Sequence, residues 1–370
     1  MNCSNINKIV KETIRSDIQL QSVYSISNAD NKCIKLDAME SPYQLPDFVK
    51  KEIADIVFQT PINRYPGVMD NTIFELKSKI KENFNVPEGA EVIFGNGSDE
   101  LINLIIQASC SPGDTIISPW PSFTYFNIAA KIHHASFIGV SLDKNLNLDL
   151  DSMLDAISKY SPKVVFLAIP NNPTGGLWSK NSIQTIVENA PGLVVLDEAY
   201  QPFTTHTWMP YVTQLDNVVV LRTLSKIGLA GLRVGYLSGR IQWLEQINKV
   251  RPPYNMNVLT ISVLFTLLKY RSVIDAQTAK SLIERKLLAC ALSKLPGIHV
   301  FPSEGNFILF RFSGKKSANE IYNLLLNKKI LIKNFSGMHP LLDNCLRVSV
   351  GTPEENLIFV NTLNEIIKFI

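Results

Sequence analysis

The feature that most restricts the fold is a series of short, β-branched, continuously apolar runs along residues 91–238, each followed by an amphipathic stretch. They are Glu91-Val-Ile-Phe94, Thr115-Ile-Ile117, Val164-Val-Phe-Leu-Ala168, Leu193-Val-Val-Leu196, Val218-Val-Val-Leu221 and Val234-Gly-Tyr-Leu237. Several lack the apolar–polar alternation of a strand with one wet face, as expected where both faces are covered. Strands of this kind, alternating with helices, predict an α/β domain with a mainly parallel sheet flanked by helices.

After Gly239 the pattern changes to helical segments over roughly 241–250, 257–270 and 273–294, then strands at Asn306–Phe310 and Cys345–Val350 and a closing helix from Pro353. This mixture predicts a smaller α+β domain, as a chain of 370 residues, longer than one core usually spans, leads one to expect. Arg251-Pro-Pro253 interrupts any continuous helix and marks a joint. The expected division is an N-terminal segment 1–40, ending in the extended or turning Asp37-Ala-Met-Glu-Ser-Pro42, a large domain 41–250 and a small domain 251–370.

A formal charge of +3 gives no electrostatic reason to expect nucleic acid or an anionic membrane as a partner. Lys77, Lys79 and Lys81 are interleaved with Ile73, Leu76, Ile80 and Phe84, so the apolar residues form a buried helical stripe and the lysines are expected on its solvated side. The five cysteines are odd in number and without CxxC spacing, which points to reduced thiols. Charged residues at Lys8, Lys11, Glu12, Arg15 and Asp17 break up any apolar signal core, and no run approaches eighteen apolar residues, so a cytoplasmic location is expected. His133-His134 lacks a carboxylate at ligand spacing, and no metal is expected there.

The residues that can carry chemistry follow the strands, where open α/β sheets place their ligands. Gly95-Asn-Gly-Ser-Asp99 is a glycine-rich turn opening a helix, whose free N–H groups suit a phosphate, although Ser98 or Asp99 as a plain helix cap explains it as well. Pro170-Asn-Asn-Pro-Thr-Gly-Gly176 fixes a tight turn that can present an amide. Asp197 ends an apolar strand, where a carboxylate requires a cation or donors: a protonated ring nitrogen, a structural ion pair or a helix start would each serve. Lys226 stands among Ile227, Gly228, Leu229 and Ala230, a setting that lowers an amine's pKa, with Ser225 and Arg233 as anion donors nearby.

These segments, in this order and over most of the chain, resemble the fold-type-I aminotransferase family. The resemblance implies a large domain with a seven-stranded type of sheet and pyridoxal 5′-phosphate as cofactor. It implies that Lys226 holds the cofactor as a Schiff base and later shuttles the proton, that Asp197 pairs with the ring nitrogen, and that Asn172 and Tyr200 bond the ring hydroxyl. Ser225, Arg233 and the amides around Gly97, Ser98 and Asp99 would hold the phosphate, and Phe123 would stack on the ring; a core residue at a helix start is the other reading of Phe123.

Within that family the resemblance is closest to the histidinol-phosphate aminotransferases, through Leu36–Tyr43, Asn63-Arg-Tyr-Pro66, Leu221–Lys226, Asn306–Arg311 and Leu346–Gly351. It implies a homodimer in which Tyr65 reaches the neighbouring subunit's cofactor phosphate, and substrate contacts from Tyr24, Lys333 and Arg347. An arginine fork such as Arg347 suits both the phosphate of histidinol phosphate and the carboxylate of glutamate. The chain departs from the family pattern at Met39 and Ser41, where asparagines are common, at Lys333, where a second arginine is common, and in a Lys226–Arg233 interval one residue shorter than in some branches. An aromatic amino-acid aminotransferase and an O-phosphothreonine decarboxylase-like lyase stay open as alternatives.

Overall fold

The computed structural model describes residues 3–21, 33–66 and 72–368, without the side chains of residues 3–5. Its large sheet has seven strands: β1 (Ala90–Asn96), β2 (Thr115–Trp120), β3 (Ser136–Ser141), β4 (Val164–Ala168), β5 (Leu193–Asp197), β6 (Val218–Thr223) and β7 (Val234–Arg240). Their spatial order is β1-β7-β6-β5-β4-β2-β3, with β7 antiparallel to both its neighbours and every other pairing parallel. All six runs read from the sequence form strands. The seventh, β3, lies at the sheet edge with only Val140 buried, so it lacks the unbroken apolar signature of the central strands.

Side-chain alternation divides the core in two. Val165, Leu167, Val194, Leu196, Val218 and Val220 belong to the cluster on one face, and Val164, Phe166, Leu193, Val195, Val219 and Leu221 to the cluster on the other. Each central strand is therefore dry on both sides, which is why its sequence shows no polar period.

The smaller sheet is antiparallel, in the order β10-β11-β9-β8, from β8 (Ile298–Val300), β9 (Phe307–Phe312), β10 (Lys333–Asn334) and β11 (Cys345–Ser349). Its core joins Ile308, Phe310, Leu346 and Val348 to Leu288 and Leu292 of helix Arg271–Ser293 and to Phe359 and Leu363 of helix Pro353–Lys368. Ile34–Lys35 pairs in parallel with Ile330–Leu331, which brings the strip 34–36 onto this sheet's side of the molecule. Beyond Arg251-Pro-Pro253, Val263, Leu264 and Leu267 of helix Val258–Leu268 still pack in the large-sheet cluster, and the helix lies on helices Asp47–Gln59 and Thr72–Asn83. The following helix, Arg271–Ser293, spans two cores, with Ile274 in the first cluster and Leu288 in the third, and the first cluster also takes in Leu309 and Cys345 of the small sheet.

The apolar stripe of helix Thr72–Asn83 is buried at Leu76 and Ile80, as its spacing predicts. Lys79 is solvated, but Lys77 and Lys81 are not simply so: both converge on Glu91 of β1, at 3.0 and 3.2 Å, with less than a third of each side chain exposed. An acid on the neighbouring strand supplies the reason, and spacing along one helix does not reveal it.

Candidate active site

The chain order of the large sheet runs outward in opposite directions from between β2 and β4, and the strand ends beside that point open on one cavity of about 230 Å³. Its other wall comes from residues 37–39 and from β10 and β11. The arrangement gathers polar groups from six parts of the chain, 37, 98–99, 172, 197–200, 223–233 and 333–347, beside the carboxyl ends of the parallel strands.

Lys226 lies in the 3-10 turn Ser225–Ile227 that leaves β6. Its Nζ donates to the Ala38 carbonyl at 3.4 Å and sits 5.8 Å from the centre of the Tyr200 ring. Burial, with the nearby positive charges of Arg347 and Arg233, brings its pKa down from 10.5 to about 8. Such an amine is available in its neutral form near physiological pH.

Asp197 ends β5 and is 4% exposed. Its Oδ1 accepts the Ala199 N–H at 3.0 Å, and among the described residues no cationic side chain stands within ion-pair distance. Burial pushes its pKa up from 3.8 to about 7, against the opposing pull of the Ala199 N–H and of Lys226. A buried carboxyl in this state calls for a cation, and the protonated ring nitrogen of pyridoxal phosphate is one.

The turn after β4 carries Asn172, whose Nδ2 donates to Tyr200 Oη at 3.2 Å while its Oδ1 accepts from Arg347 Nη1. Tyr200 packs edge-on against Phe307 with ring centres 5.0 Å apart. Gly175 closes the turn at φ +79°, and a Cβ there would meet Ser303 Oγ at 2.5 Å, so only glycine lets the turn touch the small lobe so closely.

A second donor group stands where helix Gly97–Ser109 begins. Arg233 Nη2 reaches Asp99 Oδ2 at 3.2 Å, and its Nη1 lies 3.5 Å from Ser225 Oγ, which also takes a hydrogen bond from Thr223 Oγ1 at 2.9 Å. Gly97 does not line the cavity but lies behind this guanidinium: at φ +78°, a Cβ would come within 2.7 Å of Arg233 Nη2. Arginine, hydroxyls and a helix start together fit a phosphate. Phe123 is on the same wall, half-buried and edge-on to Phe126 at 5.5 Å.

Arg347 is in the middle of β11, 4% exposed, opposite Leu309 on one side and Lys333 on the other. Besides Asn172 it donates from Nη2 to the Asp37 carbonyl at 3.0 Å, and it lies over the rings of Phe335 and Phe307 at 5.1 and 5.3 Å. Lys333 lines the cavity beside it.

Two expected residues stand apart. Tyr65 is 74% exposed outside the cavity, stacked on Tyr254 with ring centres 4.5 Å apart, and Tyr24 lies outside the described residues. Sequence reasoning noted Met39 as a departure from the family pattern but did not single out Ala199, Thr223, or Asp37 and Ala38 of the strip 37–39, as lining residues. Thr223 could have been found from its place two residues before Ser225 in a strand-end motif. The strip holds no chemistry-bearing pattern and becomes part of the site because Met39 takes a left-handed φ of +54° and is bonded through its N–H to Ser349 Oγ and through its carbonyl to Asn306 Nδ2.

The family described as aminotransferase class I and II matches residues 31–363. Histidinol-phosphate aminotransferase 2 of Bordetella bronchiseptica is 52% identical over 359 residues, 97% of each chain. The chain belongs to the histidinol-phosphate aminotransferase family of the class I and II aminotransferases. Histidinol-phosphate aminotransferase 1 of Ralstonia nicotianae is 42% identical to this aminotransferase over 362 residues, covering 96% of this chain and 95% of that one. Among solved structures, the histidinol-phosphate aminotransferase of Sinorhizobium meliloti in complex with pyridoxal-5′-phosphate superposes with a TM-score of 0.84 at 22% identity, over 96% of this chain and 98% of that one. The Clostridium acetobutylicum enzyme does so at 0.82 and 23%, over 91% and 99%. Both share the fold of this aminotransferase: a large, mainly parallel sheet flanked by helices with a smaller α+β part.

Proposed function

We propose that this aminotransferase uses pyridoxal 5′-phosphate to move an amino group between L-histidinol phosphate and 2-oxoglutarate, giving imidazole-acetol phosphate and L-glutamate in histidine biosynthesis. The observation that carries the reading is Arg347, a buried fork bonded to Asn172 and beside Lys333 at the cavity wall, in a chain half identical to a histidinol-phosphate aminotransferase along almost its whole length. One cationic wall can receive the phosphate of one substrate and the carboxylate of the other in turn.

When bound, the cofactor supplies an electron sink that makes the substrate's Cα–H bond acidic. The Asp197 carboxylate would hold a proton on the ring nitrogen by direct charge pairing. Asn172 and Tyr200 would fix the ring hydroxyl, and Ser225, Arg233 and the backbone N–H groups at Ser98 and Asp99 would take the phosphate, with Gly97 behind them. Phe123 covers one ring face. The Lys226 amine, whose pKa burial lowers to about 8, would in its neutral form take the proton from the substrate Cα and would hand it to the cofactor carbon that bears the amino group. Met39 stands where an asparagine would offer an amide, so anion recognition falls more heavily on Arg347 and Lys333.

The same reading makes the protein a homodimer. Tyr65 faces outward with Phe58, Ile62 and Phe74, all more than two-thirds exposed, and in a dimer it serves the neighbouring subunit's cofactor phosphate, while Tyr24 contacts substrate. The four cysteines with described side chains are free thiols, which suits a cytoplasmic protein.

Mixing the cofactor-loaded protein with histidinol phosphate tests the proposal. The aldehyde absorbance should give way to that of the amine form and return on adding 2-oxoglutarate. No conversion at saturating histidinol phosphate, or a clear kcat/KM preference for phenylalanine, overturns it, and carbon dioxide release without an oxo acid would identify a lyase.

A further inference from the structure

Behind the cavity lies a buried ion pair that the proposed chemistry does not use. Glu198 follows Asp197 directly and is 1% exposed; Arg222, one residue before Thr223 and four before Lys226, is 6% exposed. Arg222 donates from Nε and Nη2 to Glu198 Oε2 at 2.9 and 2.8 Å. Thr207 Oγ1 donates to the same oxygen at 3.0 Å and accepts from Arg222 Nη2 at 2.8 Å, and the Trp208 N–H donates to Glu198 Oε1. Arg222 Nη1 reaches the Phe84 carbonyl at 3.4 Å and the hydroxyl of the fully buried Tyr236 at 3.3 Å. The backbone joins the same two places, the Glu198 N–H donating to the Leu221 carbonyl at 2.8 Å.

A buried ion pair is a poor source of net stability, since desolvation offsets its attraction and apolar residues often serve as well. This one clasps the exits of β5 and β6, the two strands that end in Asp197, before the Tyr200 turn, and in Thr223, before the Ser225–Lys226 turn. The charge of Arg222 also meets that of Glu198, the residue next to Asp197 in the chain.

We propose that Glu198 and Arg222 are positioning residues for the reaction, holding the Asp197 carboxylate and the Lys226 turn at a fixed separation and thereby setting how the cofactor ring is seated. The inference rests on the cofactor reading above and deepens it.

Three variants of the full-length protein test it: Arg222→Lys, the paired Glu198→Gln with Arg222→Met, which removes both charges, and Thr207→Val, which removes only the bridging hydroxyl. The measurements are apoprotein affinity for pyridoxal phosphate, the induced circular dichroism of the bound cofactor, the melting temperature, and kcat and KM with whichever amine the wild type accepts. The paired variant should melt near the wild type yet bind the cofactor about 10-fold more weakly, show an altered dichroic band and lose roughly 10- to 100-fold in kcat with KM little changed, the scale of a slight misplacement of reacting groups. Arg222→Lys should recover part of the affinity and of the band, and Thr207→Val should shift both in the same direction by a smaller amount. Variants that fold and match the wild type in affinity, dichroism and kcat overturn the proposal. Should the charge variants fail to fold, an unaltered Thr207→Val does so by itself. A wild type that binds the cofactor but ignores histidinol phosphate would defeat only the substrate reading, because affinity and dichroism need no substrate.

Discussion

The two walls of the cavity are built differently. On the large-sheet side, Asn172, Asp197 and Ser225–Lys226 follow directly from three adjacent parallel strands, so their separation is set by the sheet and each is further fixed by local bonds. On the opposite side, Arg347 comes from an antiparallel strand, Lys333 from a two-residue strand at the sheet edge, and residues 37–39 from a strip held there by long-range bonds to Asn306, Ser349 and Arg347. The first wall is preorganised for one unchanging group. The second is an assembly of separate pieces, tied to the first through Arg347–Asn172 and Lys226–Ala38, as suits a surface that selects among amines.

Breaking the first wall should therefore cost most. Lys226→Ala is expected to fold with an unchanged circular dichroism spectrum but lose roughly 1000-fold or more in kcat, the scale of a lost general base; retention of even a tenth of the rate would remove Lys226 from the proton path. Asp197→Asn keeps the shape and loses the charge, and about 100-fold or more in kcat should go with it, in line with the loss of a preorganised electrostatic partner. The KM for histidinol phosphate should move far less, because the second wall is untouched. A loss confined to KM would mean that the two walls are not independent.

The same division decides what was legible in the sequence. Strands dry on both faces advertise themselves through unbroken apolar runs, and a polar residue at the end of such a run, as at Asp197 or Lys226, is conspicuous because burial makes it costly. The cofactor wall could be read for that reason, and Gly97, which lies against Arg233, was legible through its turn. The edge strand Ser136–Ser141 carries mixed burial and lacks the signal. Met39 drew notice as a departure from the family pattern, whereas Asp37 and Ala38 were legible only as part of a turn, because the strip's place depends on bonds to residues some 300 positions away. The attachment of helix Val258–Leu268 to the large-sheet cluster was hidden by Arg251-Pro-Pro253, a strong local break that falls before it.

Breaking the second wall should show the opposite kinetic pattern. Arg347→Lys keeps the charge but loses the fork and the bond to Asn172, so KM for both histidinol phosphate and glutamate should rise about 10- to 100-fold, the worth of one or two charge-assisted hydrogen bonds. Cofactor binding by the apoprotein should change little, and a large loss of cofactor affinity would show that Arg347 acts through Asn172 on the first wall.

A smaller effect lies in the pH dependence of the apoprotein. The folded-state pKa of Asp197, about 7, lies above its value of 3.8 in an exposed chain, so between these values the folded state binds more protons than the unfolded one. Stability contributed by this group is thus present at low pH and lost as pH rises from about 4 to about 7. Asp197→Asn should flatten that fall in the melting temperature of the apoprotein. Adding pyridoxal phosphate to the wild type should flatten it too, by giving the carboxylate its cation. If the slope is the same with and without the cofactor, Asp197 does not face the ring nitrogen.

The finest test concerns Lys333. In register beside Arg347, with its side chain half-buried at the cavity, it offers a rotating point charge where a fork would offer two directed bonds. Lys333→Arg should lower KM for histidinol phosphate about two- to fivefold, since a phosphate has oxygens enough to engage two guanidinium groups, and should leave KM for glutamate nearly unchanged, since its carboxylate is already satisfied by Arg347. Equal changes for both substrates would mean that Lys333 adds only background charge, and the distinction between phosphate and carboxylate would then have to be made by the strip at Asp37–Met39 or by a residue of the partner subunit.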